Sequence, residues 1–364
     1  MKKLIPACLM LILAFLLAVF GLGQQGNAAS APKYFAYVAN SESNNISAYS
    51  INPATGALSE IKGSPFLAGN SPCSMTAHPN GKFLYVANYQ SHSISAYSIN
   101  PISGALTAIK GISFTKETPF LLTMAPSGKF LYVVNVDRNV SIYAVNPKTG
   151  ELTAIKGSPF HIQKSINSIT IDSSGKLAFL SDYERNSIIV YSINTATGKL
   201  TKLSETTITT GTGPKSISID PTGKFAFIPN YDSQNFSVYT INAKTGKLTE
   251  IKGSPFGADH PTQVTFALSG KVVYILNCET IDAYSFDPAT STLIEFKNNP
   301  LYHSMDDPSS FSIVPTKEFL YVTNADSNEI AAFSINNTTG SLNKIKGSPF
   351  KTGNGPVSIV TIKQ

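Results

Sequence analysis

The sequence predicts an all-β fold, seven four-stranded antiparallel blades closed into a ring, and three observations carry that prediction. A five-residue phrase, Ala36-Tyr37-Val38-Ala39-Asn40 in its first copy, returns seven times. The later copies close at Asn88, Asn135, Asp182, Asn230, Asn277 and Asn324, so the closing residues stand 48, 47, 47, 48, 47 and 47 positions apart. A repeat of roughly 20–50 residues marks a solenoid, propeller or array and overrides the two or three domains that 364 residues would otherwise suggest. Secondly, the segments between copies carry period-two alternation and turn signals, with no convincing helical pattern. Thirdly, the two ends are complementary. The first copy begins at a second strand, whereas the last is followed by Pro356-Val357-Ser358-Ile359-Val360-Thr361, which matches the first strands of the others.

The second copy shows the unit most clearly. Ser74 to Ala77 is a short strand, and Pro79-Asn80-Gly81-Lys82 is a turn with Pro and Gly in favoured places. Phe83 to Asn88 is rich in aromatic and β-branched residues and reads as the second strand. After a polar loop, Ile94 to Ile99 alternates large and small side chains as a half-buried strand does. Asn100-Pro101-Ile102-Ser103-Gly104 turns the chain into a fourth strand, Ala105 to Lys110. Radial repetition of such units leaves only short, protected edges. The recurring Gly-Ser-Pro-Phe at 63–66, 157–160, 253–256 and 347–350 is expected to be a structural latch, its Phe filling the gap between blades. The tail is expected to complete the first blade and so close the ring.

Composition narrows the classes. With 42% hydrophobic and 14% charged residues, the chain can bury a large core. The formal charge of +6 is scattered, much of it in a recurring Ile-Lys-Gly phrase (Lys62, Lys110, Lys156, Lys252, Lys346), where a nucleic-acid groove would need clustered charge. Residues 1–29 read as a signal peptide: Lys2-Lys3, an apolar run from Leu9 to Leu22, then Gly26-Asn27-Ala28-Ala29 for cleavage. The alternative is an uncleaved anchor, since Leu4 to Gly23 approaches spanning length. The organisation is thus a leader, 1–29, and a propeller, 33–364, with a periplasmic or secreted destination. Cys73 and Cys278 fall in blades two and six, too far apart in a ring to be bridged, and are expected to be free thiols.

The loops divide between two faces. The Pro-x-Gly-Lys and Asn-Pro-x-Thr-Gly turns share one and are nearly uniform, whereas the other face varies. The variable face is the expected ligand-binding surface, because function concentrates on loops held by a rigid scaffold. It collects His92, Arg138, His161, Glu184, Arg185, Asp232, His260, His303 and Asp306. The histidines belong to different blades and lack close ligand spacing, so neither a metal nor another cofactor is expected. No Gly-x-Ser-x-Gly elbow and no phosphate loop preceding a helix are present.

The whole chain after the leader resembles the seven-bladed lactonase-like propellers built from Tyr-Val-Thr-Asn-type repeats. Gly81-Lys82-Phe83-Leu84-Tyr85-Val86-Ala87-Asn88 and Thr149-Gly150-Glu151-Leu152-Thr153 look like the repeated phrases of that family. The resemblance implies a propeller and, in the enzymatic branch of 6-phosphogluconolactonases and carboxymuconate cyclases, chemistry on a lactone. That branch typically opens one inner strand with Pro-His, where this chain has Pro214-Lys215. It carries Val-Pro-Asp-Leu-Gly-x-Asp-Arg where Ile228-Pro229-Asn230-Tyr231-Asp232-Ser233-Gln234 stands here. In the next blade it has Pro-Arg-His and later Asn-Glu, in place of Pro261-Thr262-Gln263 and Asn277-Cys278. These departures remove charged groups, so the expectation is an exported propeller binding a small molecule or an envelope or extracellular protein without catalysis. The alternative is a lactonase-like hydrolase of a sugar lactone or related cyclic ester, with Lys215, Gln263 and Glu279 as the altered site.

Overall fold

The computed structural model describes residues 32–109, 113–114, 117–162, 165–203, 207–296, 307–316 and 318–364. The leader at 1–29, Lys110, His303 and Asp306 lie outside them.

Seven antiparallel sheets follow one another around the ring. Blade 2 is representative: Pro72–Ala77, Phe83–Asn88, Ser93–Ile99 and Leu106–Ala108 lie side by side in chain order. The second strands are the buried ones. Phe83–Asn88, Phe130–Asn135, Leu177–Asp182, Phe225–Asn230 and Phe319–Asn324 are buried at every position, which is why the repeated phrase is the most apolar part of the chain. Both faces of each second strand are covered because the blades stack on one another. Among the described residues the core accordingly divides into seven clusters, each shared by adjacent blades, such as the one joining Tyr37 and Ile46 of blade 1 to Leu84 and Tyr97 of blade 2. Among the described residues no helix is long and apolar enough to cross a membrane.

Ring closure follows the expected route. Pro356–Lys363 pairs antiparallel with Tyr34–Asn40, matching Lys363 to Tyr34 and Ile359 to Val38, so the last strand is the first strand of blade 1. A side-chain bond repeats the closure, with Tyr321 Oη of blade 7 donating to the Gly56 carbonyl of blade 1 at 2.5 Å.

One expectation needs correction. The fourth strand is three residues long in most blades (Leu58–Glu60, Leu106–Ala108), not six. Its continuation is a separate two-residue strand, Phe66–Leu67 in blade 1, which pairs with the far end of the same third strand. In four blades the Gly-Ser-Pro-Phe phrase spans the break, which blades 2 and 4 make without it. Its serine hydroxyl stands in for the missing ladder acceptor: Ser64 Oγ takes the Ala48 N–H at 3.1 Å, and Ser158, Ser254 and Ser348 take those of Ile142, Val238 and Ala332 at 2.9, 3.0 and 2.9 Å. All four Ser–Pro bonds are cis. The phenylalanine packs as expected, Phe66 against the cluster shared by blades 1 and 2 and Phe350 against that shared by blades 7 and 1.

Candidate functional site

Two sequence positions converge on the mouth of the variable face. One is the residue that follows Pro72, Pro119, Ile166, Pro214, Pro261, Pro308 or Pro356 at the start of each innermost segment: Cys73, Phe120, Asn167, Lys215, Thr262, Ser309 and Val357. The other follows the closing residue of each repeated phrase: Ser41, Tyr89, Val136, Tyr183, Tyr231, Cys278 and Ala325. Pairing of Pro72 with Asn88, Pro119 with Asn135 and Pro214 with Asn230 places the two sets together at one end of the sheets. Several members of the inner set reach the next blade's backbone. Cys73 Sγ lies 3.3 Å from the Phe120 carbonyl, Asn167 Nδ2 donates to the Lys215 carbonyl at 3.1 Å, and Ser309 Oγ donates to that of Pro356 at 2.5 Å.

Lys215 breaks this lacing. Its ammonium is held instead between two aromatic rings, 5.1 Å from the Tyr183 centroid and 4.6 Å from that of Tyr231. Each ring contributes a cation–π attraction of about 0.5–2 kcal/mol, which keeps the charge aimed without neutralising it. Tyr183 Oη donates to Asp232 Oδ1 at 2.9 Å. Tyr231 Oη lies within hydrogen-bond reach of Cys278 Sγ at 3.4 Å, and its ring stands edge-on to His260 with centroids 5.1 Å apart. His260 Nδ1 in turn lies 2.8 Å from Asp259 Oδ1. A cation, a carboxylate, a carboxylate-paired imidazole and a thiol from blades 5 and 6 thus gather around two phenols from blades 4 and 5. Both phenols stay protonated at neutral pH. The hydrogen bond with Cys278, first, pushes Tyr231 up to about 12, and desolvation followed by the Asp232 bond raises Tyr183.

The predicted residues fall into three groups. Lys215, Asp232 and His260 come together in this cluster. Arg138 and Glu184 form an exposed ion pair between blades 3 and 4 at 3.1 Å, beside it. The rest lie elsewhere or serve the scaffold. His161 sits on the outer wall, in the short strand paired with Asn139–Val140. His92 Nδ1 lies 2.8 Å from Thr118 Oγ1. Gln263 Oε1 accepts the Phe311 N–H at 3.2 Å, tying blade 6 to blade 7. Arg185 holds the fully buried Asp182 carboxylate at 3.5 Å, and Glu279 is exposed beside Cys278. Cys73 and Cys278 are free and half-buried. Burial pushes the Cys73 thiol up to about 12, which marks it as inert. Among the described residues no three His, Cys, Asp or Glu side chains group as metal ligands would. Tyr183 and Tyr231 were not singled out from the sequence, although each immediately follows the closing residue of a repeat.

The profile of the family described as Lactonase, 7-bladed beta-propeller matches residues 27–164, 155–266 and 251–360. The chain belongs to that family. This lactonase-family propeller is similar in fold to a candidate 6-phosphogluconolactonase from Bacteroides fragilis, with a TM-score of 0.79, 21% identity, and coverage of 92% of this chain and 99% of that one. It is likewise similar to the Pseudomonas aeruginosa periplasmic gluconolactonase PpgL, at TM-score 0.75 and 18% identity over 91% and 99% of the two chains. A functionally unknown protein from Desulfotomaculum acetoxidans matches at TM-score 0.72 and 16% identity over 90% and 98%. No curated protein matches this lactonase-family chain.

Proposed function

We propose that this protein is an exported lactonase that opens a sugar lactone or related cyclic ester at the Lys215 cluster. The family supports the hydrolase reading over binding without catalysis, and the observation that carries it to particular residues is the Lys215 ammonium caged by Tyr183 and Tyr231. Ester hydrolysis needs stabilisation of a developing oxyanion, a base for the attacking water, and a proton for the departing ring oxygen. Lys215 supplies positive charge for the carbonyl oxygen. Asp232, oriented by Tyr183, takes the proton from water as its oxygen bonds to the carbonyl carbon. The C–O ring bond then breaks, and the proton passes to the leaving alkoxide, giving the open hydroxy acid. The missing Arg, His and Glu of the enzymatic branch are compensated by this different set, in which the cation comes from the same strand position as the branch's His. Export is supported by the Lys2-Lys3 start, apolar run and small-residue cleavage signal, and by the periplasmic name of the Pseudomonas neighbour.

The test is hydrolysis of a lactone panel by the purified mature protein. Turnover above background should fall at least about 100-fold in kcat/KM in Lys215→Ala and in Asp232→Asn, the usual cost of losing an electrostatic stabiliser or a general base. Turnover that survives both substitutions refutes this site. Absence of turnover across the panel, with lactones still bound, returns the protein to the non-catalytic reading.

A further inference from the structure

A pocket of about 330 Å³ opens on the variable face between blades 2 and 4, outside the Lys215 cluster. Its size is at the small end for ligand pockets, enough for one ring-sized group. Tyr89, Phe120 and Val136 line it and are 41%, 38% and 50% exposed, three of the few large apolar side chains among the described residues that are open to solvent. Asn135, Asn167 and Arg138 line it as well. Asn135 is only 3% exposed, yet its Oδ1 has no hydrogen-bond partner among the described residues. The equivalent closing residues Asn230, Asn277 and Asn324 carry the same open Oδ1, so the repeat supplies this acceptor, and at Asn135 it is available to a donor in the pocket.

The mixture decides the occupant. A purely apolar group would cover the two amides and the guanidinium without pairing them. A phosphate or other anion would meet an Arg138 already bonded to Glu184 at 3.1 Å, and no other cation among the lining residues. A neutral sugar ring satisfies both kinds of lining, with its C–H face for the aromatic rings and its hydroxyls for Asn135 and Arg138.

Two hydrogen bonds tie residues of the pocket to residues of the cluster. Asn167, which lines the pocket, donates to the Lys215 carbonyl, and Ser165, which also lines it, accepts the Tyr183 N–H at 3.1 Å. We infer that this pocket is a glycosyl subsite, and that the preferred substrate is an aldonolactone carrying a further sugar, its lactone ring at Lys215 and its glycosyl group against Tyr89 and Phe120. The substrate class rests on the hydrolase reading, whereas the subsite itself does not.

Isothermal titration of the mature protein with lactobionate and with gluconate, the ring-opened acids with and without a glycosyl group, tests the subsite directly. Lactobionate should bind at least tenfold more tightly, and Tyr89→Ala and Phe120→Ala should remove that advantage while leaving gluconate binding and Tm unchanged. Equal affinity for the two acids overturns the inference, as does an advantage that survives both substitutions. Hydrolysis of the two parent lactones separates the claims. A glycosyl advantage in binding without turnover keeps the subsite and sinks the hydrolase, whereas turnover of both lactones with equal kcat/KM keeps the hydrolase and sinks the subsite.

Discussion

The two faces of the ring are built by the same strands and obey different rules. On the uniform face, six of the seven turns share one device. Asn52 Oδ1 accepts the N–H groups of Ala54 and Thr55 at 2.9 and 3.1 Å, and Asn100, Asn146, Asn194, Asn242 and Asn336 repeat the pattern in their own blades. In most blades the turn ends in a glycine, and five of these glycines receive a tyrosine hydroxyl from the preceding blade. Tyr37 Oη donates to the Gly104 carbonyl at 2.7 Å, Tyr85 to Gly150 at 2.9 Å, Tyr132 to Gly198 at 2.8 Å and Tyr274 to Gly340 at 2.9 Å. Gly104 has φ +72°, and a Cβ there would lie 2.5 Å from the Phe35 ring, so the turn requires glycine twice over. On the variable face no bond recurs around the whole ring among the described residues, and the equivalent positions hold Lys, Phe, Asn, Thr, Ser, Cys or Val. Repetition marks where blades hold each other; its loss marks where a ligand can be met.

The largest effect expected from breaking this arrangement comes from opening the ring itself. Deleting residues 356–364 removes the strand paired with Tyr34–Asn40 and the buried Ile359 and Ile362. Each isoleucine accounts for about 1.5–3 kcal/mol of burial, and the exposed edge loses a full ladder, against a total stability of roughly 5–15 kcal/mol for a domain. The truncated chain should not show a cooperative melt near that of the parent. An unchanged Tm would refute the closure.

A single uniform-face bond should matter less. Tyr321→Phe removes the hydroxyl that reaches Gly56 across the closure, and should cost about 1 kcal/mol, a Tm fall of roughly 2 °C, with lactone turnover unchanged. Phe179 and Phe227 already occupy this position in blades 4 and 5, so the ring tolerates the missing oxygen. The same tyrosines predict an alkaline limit. Burial raises Tyr37, Tyr85, Tyr132, Tyr274 and Tyr321 well above their ordinary value of 10. Above pH 10 the unfolded chain sheds protons that the folded one keeps, so their contribution is complete below that pH and is lost as pH rises beyond it. Tm measured from pH 8 to 11.5 should fall more steeply for the parent than for Tyr321→Phe; parallel curves would contradict the linkage.

The contrast between faces also explains what the sequence could disclose. The phrase around Tyr85 and Val86 reports burial on both sides and a fixed bond to the next blade, so it recurs and is legible as a ring of seven. The broken fourth strand was hidden because Ser64 takes its place in the ladder through a side chain, and serine in Gly-Ser-Pro reads as turn chemistry. Lys215, Asp232 and His260 were visible as departures from the pattern. The cage around Lys215 was not, since Tyr183 and Tyr231 are one blade apart and approach the ammonium only once the ring brings their loops together. Gln263 misled for the opposite reason: it occupies a site position by alignment, yet its amide serves the next blade's backbone.

The smallest stability change should belong to the residue placed nearest the chemistry. Asp232 is exposed, and its hydrogen bond with Tyr183 joins two loops without closing any buried polar group. Asp232→Asn keeps an oxygen to accept that bond, so unfolding free energy should move by no more than about 0.5 kcal/mol, the range of ordinary surface substitutions. Turnover of lactones should nevertheless collapse, because an amide cannot take the proton from water. Tyr321→Phe is expected to do the reverse, lowering Tm and sparing kcat. Measuring both quantities in both variants gives a crossed result if the faces divide stability from function. A Tm loss in Asp232→Asn as large as that in Tyr321→Phe would place Asp232 in the scaffold and leave Lys215 without its base.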